Sequence, residues 1–251
     1  MYKVSKLAAG SVIAATAALG GASVALADGY AAPRVAYERP SNWSGVYFGV
    51  QSGYQWSSID GDIPGTPLHY SVNDNNAIVG AQLGYQHQFG AVVLGIEGNL
   101  ISTVRDDWGS TTCPYFGAAN CKDRLNDILT IGGRAGWAAG HWMPYVTGGY
   151  ASARFAHEEW TLPGAGGAQT KLDESATRHD GWYLGGGVEW QISPGWTTGL
   201  EYRHYEFDTK VTNVVSPVGV NLGLERTSPT TDTVAARVSW RWGRPEAAPL
   251  K

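Results

Sequence analysis

The sequence predicts an all-β fold: an eight-stranded antiparallel up-and-down transmembrane β-barrel with short periplasmic turns and long extracellular loops. Three observations carry this: a hairpin whose two faces differ in kind, an alternation of short and long connections, and a row of aromatics at one end of the strands. The hairpin is Gly181 to Asp208, two alternating strands joined at Ser193-Pro194-Gly195, where Pro and Gly preset the bend. One face carries Trp182, Leu184, Val188, Trp190, Trp196, Leu200 and Tyr202. The other carries Tyr183, Gly185, Gly187, Glu189, Gly199, Glu201, Arg203 and Tyr205. Glycine is out of place on a strand face that simply meets water. Inside a small closed barrel, small residues make room for large ones. A turn centred near Pro194 sets Glu189 opposite Gly199 and Glu201 opposite Gly187. An apolar outside around a polar, packed inside is the pattern of a membrane barrel.

The remaining strands follow the same alternation. The first, Gly45 to Trp56, puts Val46, Phe48, Val50, Tyr54 and Trp56 on one face. The second, Asn76 to Phe89, sets Val79, Leu83, Tyr85 and Phe89 against Gly80, Gln82, Gly84 and Gln86. After a tight turn at Gly90, the third opposes Val92, Leu94, Ile96 and Leu100 to Gly95, Glu97 and Asn99. The fourth, Arg124 to Trp137, opposes Leu129, Ile131, Ala135 and Trp137 to Thr130, Gly132 and Arg134. In the fifth, Met143 to Arg154, either Tyr145 or Val146 suits the outside, and its facing stays open. The eighth, Thr231 to Trp242, alternates Val234, Val238, Trp240 and Trp242 with Arg237, Ser239 and Arg241. Long loops are expected at Ser57–Asn75, Arg105–Asp123, Ala156–Asp180 and Thr209–Thr230, so the seven connections alternate long and short. Trp43, Phe89, Trp137, Trp142, Trp190, Trp196 and Trp242 mark the expected periplasmic ends as an interfacial girdle.

Composition narrows the alternatives. Glycine is 34 of 251 residues, about twice the usual ~7%. Past the N-terminus no run reaches the ~18 apolar residues of a membrane helix. A net charge of -4 gives no reason to expect nucleic acid. Residues 1–27 have the form of a signal peptide: Lys3 and Lys6, an Ala-rich apolar middle, and Ala25-Leu26-Ala27 for cleavage. An N-terminal membrane anchor is the alternative, weakened by Gly10, Gly20 and Gly21. A flexible periplasmic lead-in (28–42) and the barrel (43–242) follow. Cys113 and Cys121 suit a disulfide pinning one loop of an exported protein, worth roughly 2–3 kcal/mol in the chain-entropy model. No metal or cofactor site is expected.

The interior charges balance: Glu97, Glu189 and Glu201 against Arg134, Arg203 and Arg237, with Arg241 near the rim. Eight strands leave a lumen only wide enough for its own side chains, and an unpaired buried charge costs several kcal/mol. A paired network plugging the barrel follows, with no large diffusion channel. A narrow gated pore is the alternative.

Three stretches carry a family resemblance. Asn42–Trp56 (NWSGVYFGVQSGYQW) resembles the first-strand signature of small alphaproteobacterial outer-membrane proteins, the opacity-like, "porin family" surface antigens. Gly185–Asp208 is similar to that family's late hairpin, and Met143–Ala151 (MPYVTGGYA) to its fifth-strand motif. The resemblance spans roughly residues 42–242. It implies an outer-membrane barrel with surface-exposed loops and no catalytic residues. The partners it implies are outer-membrane lipid, lipopolysaccharide and, during insertion, the barrel assembly machinery. Such barrels end on an aromatic that this machinery reads. Trp242 would be that residue, but residues 243–251 follow it as a short tail whose Pro245 and Pro249 forbid ladder pairing.

Three functions are weighed. The first is a structural envelope barrel presenting surface loops to partners that the sequence does not identify. The second is a small porin, or a binder of a ligand such as haem through its loops, where His69, His157 and His179 show no ligand-pair spacing. The third is an enzyme: His69-Tyr70-Ser71 resembles the His-aromatic-Ser run of lipid A deacylases, with Asp74 as a nominal orienting acid. In those enzymes the run lies late in the chain. The first function is the expectation, without enzymatic activity.

Overall fold

The computed structural model describes residues 42–62, 64–65, 67, 69–104, 109–112, 119–161, 171–215 and 221–242. The expected signal peptide and nearly all of the lead-in, the C-terminal tail and Cys113 lie outside the described residues. Ten strands are present among the described residues: β1 (Gly45–Asp62), β2 (His69–Phe89), β3 (Val92–Thr103), β4 (Gly109–Thr112), β5 (Ala119–Trp137), β6 (Trp142–Thr161), β7 (Lys171–Ser193), β8 (Trp196–Phe207), β9 (Lys210–Val215) and β10 (Asn221–Trp242). Eight of them form an antiparallel ring in the order β1-β2-β3-β5-β6-β7-β8-β10. The ring closes where β10 pairs back to β1, from Val46 opposite Trp242 to Asp62 opposite Arg226. The short β4 and β9 add to β5 and β10 at the far end from the short turns.

The three short turns each place a glycine in the left-handed region, where a side chain would clash: Gly90 (φ 64°), Gly140 (φ 63°) and Gly195 (φ 83°). Pro194-Gly195 suits a type II bend, whose twist fits flanking strands poorly. The ladder absorbs the mismatch with a register shift between Gln191 and Ser193.

Alternation sorts the two faces as the sequence predicts. Val46, Phe48, Val50, Leu83, Ile96, Leu129, Ile131, Leu184 and Leu200 are exposed on the outside, while Gln51, Gln82, Glu97, Thr130, Arg134 and Glu201 are buried inside. The undecided strand is settled: Tyr145 is 5% exposed and points inward, Val146 is 60% exposed and points out.

Two expectations need correction. The long loops are largely strand. β1 and β2 stay paired to Asp62 opposite His69, and β6 and β7 to Trp160 opposite Lys171. β7 has 23 residues, about twice the 9–11 that cross a membrane. Polar outward residues such as Ser58, Asn73 and Asn75 suggested loops, yet their neighbours Ile59 and Val72 still bury inward. The second correction is Trp43. It is fully buried and takes no part in the girdle. It precedes β1, and its ring is packed with Val93, Met143 and Tyr145.

The other six girdle aromatics (Phe89, Trp137, Trp142, Trp190, Trp196, Trp242) are exposed around the short-turn end, where Trp142 and Trp190 stack at 5.1 Å. A second ring that sequence reasoning missed, Tyr54, Trp56, Tyr150, Trp182 and Tyr202, is exposed further up the wall. Trp142 to Tyr150, and Trp182 to Trp190, each span eight residues. That is about 26 Å of strand, or a band about 20 Å tall at a typical tilt, close to the hydrocarbon belt of a membrane barrel.

Gly187 shows how tight the wall is. A Cβ there would lie 2.5 Å from the Leu200 carbonyl oxygen and 2.8 Å from the Tyr145 hydroxyl. Gly187→Val is therefore expected to destabilise the folded barrel by about 1–3 kcal/mol through overpacking. Equilibrium unfolding of the variant in lipid vesicles checks this.

Candidate functional site: the filled lumen

The centre of the lumen is built on Glu97. Its register neighbours are Gly84 on β2 and Gly132 on β5, so its side chain has room to cross the barrel. Oε2 accepts from the Tyr47 hydroxyl (2.7 Å) and Arg237 (2.5 Å), and lies 3.4 Å from Arg134. Oε1 accepts from Arg203 at 2.6 Å. Glu201 takes the other side of the two arginines: Arg237 donates to its Oε2, and Arg203 Nε lies 2.8 Å from its Oε1. The Tyr145 hydroxyl donates to Glu201 at 2.8 Å. Arg134 reaches across to Glu189 at 2.8 Å, and its guanidinium stacks 4.0 Å from the Tyr145 ring centre. The six interior charges named from the sequence thus form one network. Each has a glycine on a neighbouring strand: Gly95 beside Arg134, Gly199 beside Glu189 and Arg237, Gly187 beside Glu201, and Gly185 beside Arg203.

Apolar clusters lie above and below the network. At the short-turn end, Trp43, Val93, Met143 and Tyr145 pack together. Arg241 stacks over the Trp43 ring at 4.9 Å and donates to the Asn42 carbonyl at 2.7 Å, which tethers the segment before β1 beneath the barrel. Gln86 donates to the Trp43 carbonyl at 2.7 Å, and the Trp43 indole N–H donates to the Gly140 carbonyl at 3.3 Å. At the opposite end, Ile59, Ile78, Ile101, Leu125, Ile128, Phe155, Tyr205 and Phe207 form an apolar layer inside the wall. The charges therefore sit away from bulk water, where a pair interacts strongly but a lone charge is costly.

These features belong to a known family. A family model described as "Outer membrane protein beta-barrel domain" matches residues 13–241. The chain belongs to that family. It is similar to the 25 kDa outer-membrane immunogenic protein of Brucella ovis, 25% identical over 183 residues that cover 71% of this chain and 77% of that protein. It is also similar to the 31 kDa outer-membrane immunogenic protein of Brucella melitensis, 29% identical over 184 residues covering 69% of this chain and 75% of that protein. Among solved structures, OprG from Pseudomonas aeruginosa aligns with a TM-score of 0.47 at 10% identity, over 79% of this chain and 98% of that one. Ail of Yersinia pestis aligns with a TM-score of 0.39 at 10% identity, over 78% and 99%. This outer-membrane barrel therefore resides in the Gram-negative outer membrane, with its short turns periplasmic and its long hairpins outside.

The structure separates the residues of the enzyme alternative. His69 and Ser71 are exposed on the outer face of β2, whereas Asp74 is buried on the inner face. Asp74 accepts from the Leu125 amide at 3.0 Å and from Asn76 at 2.5 Å, and so braces β2 against β5 just above the upper aromatic ring. The other two loop histidines have partners of their own: His157 Nδ1 is 2.7 Å from Asp123, and His179 Nδ1 is 3.1 Å from the Asp208 carbonyl. No group of three potential metal ligands occurs among the described residues. Cys121 is on β5, but its expected partner Cys113 is outside the described residues.

Two predictions follow from the network and its outer rim. Glu97→Gln leaves Arg203 and Arg237 short of charge in a buried site, with an expected loss of about 3–5 kcal/mol in equilibrium unfolding. Asp74 is pushed up to about 6, chiefly by burial and slightly by Asp123, against the opposing Leu125 amide, Arg124 and Asn76. Its folded-state pKa lies above that of the unfolded chain, so the folded state holds the extra proton between about pH 4 and 6. Asp74 therefore favours the folded state increasingly as pH falls through 6. Thermal unfolding at pH 5 and pH 7.5 should show that increment in the native protein and lose it in Asp74→Asn.

Proposed function

We propose that the chain is a structural barrel of the outer membrane, closed to solutes, whose outward hairpins form its contact and antigenic surface. The observation that carries this is the filled lumen: a paired network centred on Glu97 lies between the Trp43–Met143 layer below and the Ile78–Phe155 layer above. A diffusing ion would have to displace paired arginines and cross two apolar layers. An apolar layer in a narrow passage excludes water as well as ions. The six charges of the network pair with one another, which favours a filler over a binding site.

The hairpins support the second half of the reading. β6 and β7 rise past the aromatic ring as a continuous ladder. The similar Brucella proteins are named for being immunogenic, which fits a surface presented this way. The aligned portion of this chain supplies the barrel and its hairpins, and His69 and Ser71 lie on the opposite face of β2 from Asp74.

The test is single-channel recording of the refolded protein in a planar bilayer, with heat-modifiable gel mobility as the check on folding. A folded protein without steady conductance is the expected result. Stable, ion-selective openings would overturn the closed-lumen reading and make the chain a small porin.

A further inference from the structure

Above the membrane belt, the described part of the ring is stitched at every seam but one. β1 and β2 stay paired to Asp62 opposite His69, and β10 and β1 to Arg226 opposite Asp62. β5 and β6 stay paired to Ala119 opposite Thr161, and β6 and β7 to Trp160 opposite Lys171. β3 ends at Thr103, but β4 pairs with β5 and lies against β2, where a Cβ on Gly109 would be 2.5 Å from the Asn73 carbonyl oxygen. The remaining seam joins β7 to β8 from Gly181 opposite Phe207 downward. Above it β8 gives way to β9, which pairs with β10. Among the described residues no ladder joins β9 to β7.

The base of this gap is fastened. The Asp208 amide donates to the Asp180 carbonyl at 2.7 Å, and His179 Nδ1 lies 3.1 Å from the Asp208 carbonyl. The Lys210 ammonium donates to the Arg178 carbonyl. Asp180 and Arg178 therefore turn backbone polar groups toward the gap. Backbone groups alternate along a strand as side chains do, so those of Ala176 and Glu174 point the same way, while Thr177 and Ser175 serve the β6 ladder. β7 thus ends in an edge free of any ladder among the described residues, and β9 presents another, over residues 211–215, across the same gap.

The edges identify their occupant. N–H and C=O groups held in extended geometry are complementary to another extended backbone, which is the basis of strand addition. Both edges belong to one rim and face each other, so what pairs with them enters as a single strand. A second barrel upright in the same membrane would arrive instead as a sheet whose strands already have partners. Side chains at the rim set the pattern. Ala176 is exposed on the outward face of β7, and Val211 is exposed on that of β9. On the inward face His179 meets the edge of the Phe155 ring at 5.3 Å, and Phe207 lies 5.6 Å from Phe155. A strand with apolar inward residues would extend that layer upward.

We propose that the gap between β7 and β9 is a docking site for an extended peptide segment of an extracellular protein, added as a strand along the β7 edge. Its backbone pairs with Ala176 and Glu174, and its inward side chains rest above Phe155 and Phe207. The site rests on the reading of the hairpins as the outward contact surface and names the form their partner takes. It makes no use of the closed lumen, so conductance and peptide binding fail separately. Binding of antibodies against the folded chain to intact cells checks the outward surface apart from the peptide result.

The experiment uses the full chain, folded in neutral detergent and verified by heat-modifiable mobility. The probe is a fluorescent peptide alternating valine and threonine over about six residues, a common strand length, with glutamates at its ends for solubility. A second probe has the same sequence with alternate backbone amides N-methylated, which keeps the side chains and removes donors. By fluorescence anisotropy, wild type should bind the first probe and bind the second about tenfold more weakly. Ala176→Pro removes an N–H that faces the gap and spares the β6 ladder, so affinity for the first probe should fall about tenfold. Ala176→Ser keeps that N–H and should bind as wild type does. Hydrogen exchange at the Ala176 amide should be fast in the free chain and slowed by the first probe. Slow exchange without the probe would overturn the site, because the chain itself would then cover the edge. Protection that grows with protein concentration alone would overturn it in favour of a second copy. Failure of wild type to bind the first probe, equal binding of the two probes, or undiminished binding by folded Ala176→Pro would overturn it as well.

Discussion

The structure depends on one steric constraint: at the charged centre of an eight-stranded wall, a long side chain reaches the axis where an adjacent strand yields its own. Glu97 lies between Gly84 and Gly132, and each of the other five network charges has a glycine on one neighbouring strand. Tyr183 and Tyr145 obey the same rule, facing Gly149 and Gly187. Glycine is intrinsically poor in strands. Its abundance here is the counterpart of a lumen filled with arginine, glutamate and tyrosine. Removing the charges alone would leave voids, and replacing the glycines alone would push the network apart.

An ion network is an odd filler on stability grounds alone, because well-packed apolar groups often do as well or better. Its value lies in the choice of face. A strand slipped by one residue exchanges its inside with its outside. With an apolar lumen, the slipped barrel would differ little from the correct one. With this lumen, a slip of β8 would turn Glu201 and Arg203 into lipid and bring Leu200 and Tyr202 inside. A charge facing lipid at mid-depth costs about 2–4 kcal/mol for a basic residue, before its lost partners are counted. The network thus fixes the register of the ladder along with the contents of the lumen.

How far the sequence revealed this varied with the physics of each position. Within the membrane belt the two faces meet opposite environments, so alternation was plain, and the pairing of Glu189 with Gly199 followed from the Pro-Gly turn. Above the belt both faces are mixed. Ser58, Asn73 and Asn75 meet water outside while Ile59 and Val72 bury inside, and a turn-rich composition hid a strand. Trp43 was misassigned because position along the chain cannot separate a tryptophan at the lipid interface from one folded beneath the lumen. The signal was present in Gln86, Gln88 and Arg241, whose side chains hold the backbone at Asn42 and Trp43. The facing of β6 was ambiguous because Pro144-Tyr145-Val146 lacks a charge. Only Gly136 and Gly187, which make room for Tyr145, decide it.

A lumen filled by its own side chains moves the interest of the molecule to its outside, and the same ladder shapes that outside. The hairpins above the upper aromatic ring are extensions of the transmembrane strands with their own apolar filling of Ile59, Leu125, Phe155 and Phe207. A β-hairpin without such filling is at best marginally stable in water. Here the apolar layer inside the barrel also holds the hairpins upright, and Asp74 ties β2 to β5 at the same level. Because the strands stay in register there, outward side chains keep fixed positions relative to the membrane. That is why Arg154 and Arg178 face each other at a defined height. A flexible loop would separate two like charges. A ladder holds them together, with Asp127 in the same row as the register partner of Arg154 and 3.7 Å from Arg178.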